Sequence, residues 1–144
     1  MNPALAELKT ELFSVYTNYL RAIQALEPEK RTQSGVSGDW SAKDVVAHLV
    51  GWDAALHEFI TDPENFNPEP LYDVHTFNAA SVTRRQAQTW QETVYELQNT
   101  FTRLDEAVAT LPNEGRVHDR VASWLKGRIA DYEFHLEQLD DWLR

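Results

Sequence analysis

In four long stretches of this 144-residue chain the large apolar side chains return at every third or fourth position, and no stretch alternates them as a strand would. The first stretch carries Leu5, Leu8, Leu12, Val15, Tyr16, Tyr19, Ile23 and Leu26. Asn2 is placed to cap it, and Pro3 takes the first helical position, where a missing N–H costs nothing. The helix should close near Glu27-Pro28. After a connection containing Gly35, Ser37 and Gly38, Ser41 and Asp44 form a capping-box-like start for a second helix over 42–60. A third is expected from Phe77 to Leu111, with Val82, Trp90, Val94, Leu97, Phe101, Leu104 and Val108 on one side and Pro112-Asn113-Glu114-Gly115 as its stop. The last begins between Asp119 and Ser123 and carries Val121, Trp124, Leu125, Tyr132, Leu136, Leu139, Trp142 and Leu143.

Between the second and third helices lies Asp62-Pro63-Glu64-Asn65-Phe66-Asn67-Pro68-Glu69-Pro70, too rich in proline for regular helix and expected as a long loop. About 15 extended residues reach about 50 Å, against about 27 Å for a helix of about 18 residues. The chain can therefore return along the whole bundle and lay helix three parallel to helix two. The expected fold is all-α, a single domain over residues 1–144 forming a four-helix bundle with one long crossover loop, up-down-down-up. Five Trp, five Tyr and six Phe within 42% apolar content supply a core for one such domain.

Charge narrows the partners. A net charge of −10, with Arg84-Arg85 as the densest basic pair, argues against nucleic acid and against an anionic membrane surface. The absence of cysteine removes disulfides, thiolate ligands and any protein thiol nucleophile, so thiol chemistry would need a thiol cosubstrate. No basic n-region precedes an apolar run at the amino terminus, and no run of about 18 apolar residues occurs, so a soluble cytoplasmic protein is expected.

An acid four residues before a histidine shares a helix face with it, yet Asp44/His48, Asp53/His57, Glu114/His118 and Asp131/His135 all have this spacing, so the spacing alone selects nothing. Burial has to discriminate. At about 100° per residue, His48 lies about 60° from the stripe formed by Val45, Leu49, Trp52, Leu56 and Phe59, while His57 points about 180° away from His48. On the last helix His135 lies about 50° and Asp131 about 90° from the stripe centre, which makes Asp131 a border position. An imidazole on one helix and a carboxylate–imidazole pair on another suggest a metal site inside the bundle. Arg128 falls within about 30° of the stripe centre and needs either an internal acid, an anionic substrate group or a route to water for its guanidinium. The tryptophans read as core mass, Asn78 as a helix cap, and His75 and His118 as solvated loop residues.

At these residues the sequence resembles the DinB-like superfamily of helical bundles, which includes the mycothiol-dependent maleylpyruvate isomerase amino-terminal domains. Trp40-Ser41-Ala42-Lys43-Asp44-Val45-Val46-Ala47-His48-Leu49-Val50-Gly51-Trp52 looks like that family's tryptophan, helix cap and metal-binding histidine followed by Leu-x-x-Trp. Most members carry His-x-x-x-His on the last helix; here Asp131-Tyr132-Glu133-Phe134-His135 departs from that pattern and is similar to the Glu-Val-x-Val-His of the isomerase branch. The resemblance implies a divalent metal ion, zinc or nickel first and iron or manganese also compatible, held by His48, Asp131 and His135. It implies a thiol-dependent transferase or isomerase acting on a small electrophilic substrate with a low-molecular-weight thiol cosubstrate, in a homodimer. A metal-dependent hydrolase or resistance protein that sequesters its target without a thiol is the second expectation, and a metal-free binding or structural bundle the third. From their facing, Arg128 would orient an anionic group and Trp52 and Trp124 would form apolar walls.

Overall fold

The structure, a computed structural model, describes residues 1–144. It is all-helical: α1 (Pro3–Gln24), α2 (Ala42–Thr61), α3 (Glu69–Tyr72), α4 (Val74–Arg84), α5 (Trp90–Ala109) and α6 (Arg116–Leu143). None of these helices is long and apolar enough to cross a membrane. The two expected starts are built as the residue types dictate. Asn2 Oδ1 accepts from the amide of Ala4 at 2.9 Å, and Ser41 and Asp44 close a full capping box, each side chain accepting the other's backbone N–H at 3.1 and 3.0 Å.

The expected third helix is two helices, which corrects the boundary drawn from periodicity. Residues 85–89 leave the helix because Thr89 starts a new one: its hydroxyl accepts from the amide of Glu92 at 3.1 Å while the Glu92 carboxylate accepts from the Thr89 amide at 3.0 Å. Arg85 fastens the bend, its Nε donating to Glu96 and its Nη1 to the carbonyl of Ser81. Upstream, the proline-rich stretch is not loop throughout. Its end forms the single turn α3, and Asp73, not Asn78, caps α4 by accepting from the amide of Thr76. The last helix also starts earlier than expected, at Arg116, after Gly115 at φ +111°. His118 therefore lies on α6 and is buried, while His75 is exposed but sits in the first turn of α4.

Contacts between helices give their directions. His48, Asp53 and Phe59 of α2 meet Asp131, Arg128 and Trp124 of α6, so these two run antiparallel. Asn2 reaches the carbonyl of Asn113 just before α6, and Tyr16 meets Tyr132, so α1 and α6 run parallel. Lys9 pairs with Asp105 and Tyr16 stacks on Phe101 at 3.6 Å, which sets α1 against α5 in the opposite sense. One core runs through these helices, with Leu5, Leu12, Tyr19, Ile23, Leu49, Leu56, Leu97, Leu104, Leu125 and Leu139 almost fully enclosed. Helix α2 is covered by α5, α6 and α4 at once. The approach of α4 depends on Gly51, where a Cβ would stand 2.1 Å from the Ser81 hydroxyl oxygen.

Candidate metal centre

Antiparallel packing of α2 on α6 brings together the three residues expected as ligands. His48 Nε2 lies 3.2 Å from Asp131 Oδ1 and 3.1 Å from Oδ2, and His135 Nε2 lies 3.1 Å from Oδ1. One donor atom from each of the three falls within 4.8 Å of the others, both imidazoles are buried, and the Asp131 side chain keeps 20% of its exposure. A tetrahedral ion with bonds of about 2.0–2.1 Å separates its ligand atoms by about 3.3 Å, so the spacing suits a metal ion.

Proton inventory provides an independent test. The Asn78 side chain on α4 receives Trp52 Nε1 at 2.7 Å and His48 Nδ1 at 3.0 Å on the same atom. An indole N–H only donates, so that atom is the amide oxygen, and an oxygen that only accepts requires the proton of His48 to be on Nδ1. In the neutral ring, Nε2 then carries a lone pair aimed at a carboxylate. His135 is arranged alike, with Nδ1 2.9 Å from Gln138 Oε1 and Nε2 facing Asp131. Lone pairs and a carboxylate converge on one point, which a cation or added protons must occupy. An outer hydrogen bond from each Nδ1 is also how metal-binding histidines are ordinarily oriented. The residues present fit a divalent ion.

The carboxylate is itself held. Arg128 donates from Nη1 to Asp131 Oδ2 at 2.6 Å and from Nε to Asp53 Oδ1 at 2.8 Å, and Tyr132 donates its hydroxyl to Asp53 Oδ2 at 2.6 Å. Of the alternatives open for Arg128, pairing with internal acids is the one found; its guanidinium is buried and Nη2 has no partner. Burial works against an ionised Asp131, but when added protons fill the shared point, hydrogen bonds from His135 and His48 and the charge of Arg128 outweigh it and hold the carboxyl far below its ordinary range. Asp53, with 0% exposure, goes the other way: burial raises it despite Arg128 and Tyr132. Burial and the Asp53 charge likewise raise the Tyr132 hydroxyl, so it remains a donor.

Periodicity did not single out Asp53, and the reason is physical. It lies about 80° from the stripe centre of α2, a border angle for a helix with one covered face; α2 has three covered faces and no border there. Asn78 was read only as a cap. No local signal in α4 identifies it, because its role comes from the close approach at Gly51.

The largest cavity, about 500 Å³, opens over this cluster. His48, Asn78, Arg128 and Asp131 supply its polar side chains, and Trp52, Trp124, Val74 and Phe134 its apolar walls. His57 is on another side of α2, beside a separate depression shared with α5.

Fold and cluster together define an all-helical domain with a buried His-Asp-His group that could hold a metal ion beneath an open cleft. The family model of the mycothiol maleylpyruvate isomerase N-terminal domain matches residues 14–140, and the chain belongs to that family, a DinB-like one. No curated protein and no solved structure gives a match.

Proposed function

We propose that this chain is a metal-dependent enzyme in which His48, Asp131 and His135 hold one divalent ion, zinc or nickel foremost with iron and manganese compatible, and that it transfers or isomerises a small electrophile with a low-molecular-weight thiol. The observation that carries the reading is the fixed proton on His48 Nδ1, which leaves Nε2 facing Asp131 with a lone pair. The four long helices would form a DinB-like four-helix bundle, up-down-down-up, with the α2–α5 connection as the crossover. A small-molecule substrate fits the family, a homodimer in the cytoplasm is part of the same proposal, and the net charge of −10 supports a protein that avoids nucleic acid.

When bound, the ion would lower the pKa of a thiol or water and so supply a nucleophile near neutral pH. The chain's own residues prepare that site. Asn78 orients the His48 ring and fixes its tautomer; Arg128 acts through Asp131, keeping the carboxylate ionised and aimed. Trp52 and Trp124 exclude water from one side of the cleft and provide apolar surface for substrate.

The cleft has no unpaired cation to hold a charged thiol carrier, since Arg128 is already shared between two acids. That favours, as a second reading, a hydrolase in which water replaces the thiol. Metal content of untagged protein tests the shared part: near-stoichiometric metal in the wild type, lost in Asp131→Ala, is expected. A wild type that stays metal-free after dialysis against zinc, nickel and iron(II) would overturn both readings. Turnover of an electrophile panel with and without mycothiol or bacillithiol then separates them.

A further inference from the structure

Beside His48, the free polar donor in the cleft belongs to Asn78, and this has a consequence for the substrate. Asn78 Oδ1 is committed to two donors, Trp52 Nε1 and His48 Nδ1, and the donor-only indole forbids exchanging the amide's oxygen and nitrogen. The Nδ2 group therefore carries both remaining protons, with no acceptor in the protein, on a half-buried residue that lines the cavity beside His48. The guanidinium of Arg128 offers no comparable contact: Nε and Nη1 are occupied, and Nη2 is enclosed. The remaining walls are Trp52, Trp124, Val74 and Phe134, with Val74 and Phe134 exposed at the mouth.

Formal charge points the same way. Arg128 is the cationic side chain of the cleft, and it is already paired with Asp53 and Asp131. A carboxylate substrate would find no free cationic side chain. A neutral carbonyl would find an apolar slot and, beside His48, a neutral N–H donor.

We infer that Asn78 is a substrate-binding residue, and that the cleft takes an uncharged, apolar or aromatic carbonyl compound whose oxygen accepts from Asn78 Nδ2. The expected Arg128 contact to an anionic group is thereby replaced. This rests on the cleft being the substrate site proposed above, but not on the ion being present.

Three probes of one shape test it: acetophenone (neutral carbonyl), cumene (no oxygen) and benzoate (anion), titrated into chelator-treated protein. Binding is followed by the ¹H–¹⁵N signals of the Trp52 and Trp124 indoles and the Asn78 amide group. Acetophenone should shift all three and bind roughly five- to tenfold more tightly than cumene, with benzoate weakest. Asn78→Asp keeps an acceptor for Trp52 and His48 but has no N–H to give, so it should lose the acetophenone advantage and leave cumene affinity unchanged. Equal binding of acetophenone and cumene by the wild type, benzoate binding most tightly, or an undiminished advantage in Asn78→Asp would each overturn the inference. Zinc uptake measured on the same two proteins judges the metal reading separately: failure there leaves the probe ranking intact.

Discussion

Arg128 sits between two carboxylates that could not be buried without it. Asp53 is wholly enclosed, and its one full opposite charge is the guanidinium at 2.8 Å. Removing one partner of a buried pair costs about 3–5 kcal/mol, because the other charge stays behind without compensation. Arg128→Met should therefore lower the urea-unfolding free energy by about that amount, and Asp53→Asn in the same chain should recover part of it. Lysine at this position lacks the planar fork and cannot serve both acids, so Arg128→Lys should resemble the methionine variant more than the wild type.

Acid titration at the residue scale has a definite sign. Asp131 is held far below its ordinary range in the folded chain, so its ionisation contributes stability that is complete above the unfolded value of about 4 and drains away as pH falls toward the depressed folded value. Asp53, raised by burial, opposes this just above that value, where the folded chain keeps its proton longer than the unfolded one. Urea unfolding of the metal-free protein between pH 3 and pH 7 should show wild-type stability falling steeply below about pH 4 and a flatter profile there for Asp131→Asn. An unchanged slope in that variant would remove Asp131 from the account.

Among the helices longer than a single turn, α4 has the least core, yet it bears directly on the site because it carries Asn78. Its seat on α2 is Gly51, with Ser81 opposite. Gly51→Ala forces α4 outward; overpacking of this kind costs about 1–3 kcal/mol, and the shift should carry Asn78 away from His48 and weaken zinc uptake. Ser81→Gly in the same chain should restore uptake, although a glycine within a helix costs about 1 kcal/mol of its own. By contrast, Thr89→Ala removes the cap that separates α5 from α4 and should cost about 1 kcal/mol without altering zinc affinity, since none of its contacts reach the cluster. Calorimetric zinc titration of the three variants distinguishes a change in the site from a change in stability.

These same elements explain what could be read in advance. The long helices announced themselves through apolar spacing and through caps at Asn2 and Ser41, which are local signals. The break at 85–89 was also local, in Thr89-x-x-Glu92 and in the lack of a large apolar side chain between Val82 and Trp90, and joining the two stripes across that gap passed over the cap. His48, Asp131 and His135 were legible because each lies near an apolar stripe within a recognisable pattern. Asp53 and Asn78 were not, because their roles are set by helix packing: three neighbours covering α2, and a contact between α2 and α4 that depends on a missing Cβ.

Across the whole molecule, the metal reading makes a claim about stability that does not depend on knowing the substrate. An ion that binds only the folded chain stabilises it by about 2.7 kcal/mol at a hundredfold excess over its Kd, which corresponds to a rise in Tm of about 5–15 °C for a domain near this size. A chain of net charge −10 also gathers cations loosely on exposed acids, such as Glu133, Glu137, Asp140 and Asp141 along α6, so a rise in Tm alone proves little. The two histidines of α2 separate these effects. His48→Ala removes a proposed ligand, whereas His57→Ala alters a residue on another side of the same helix, beside a depression that contains none of the cluster. Scanning calorimetry with zinc should give the full rise for wild type and His57→Ala and almost none for His48→Ala. Because imidazole binds a metal only when its nitrogen is free of a proton, the rise should also shrink as pH is lowered. An undiminished rise in both variants would mean that the stabilising ion sits on the acidic surface and that His48, Asp131 and His135 form a metal-free polar cluster.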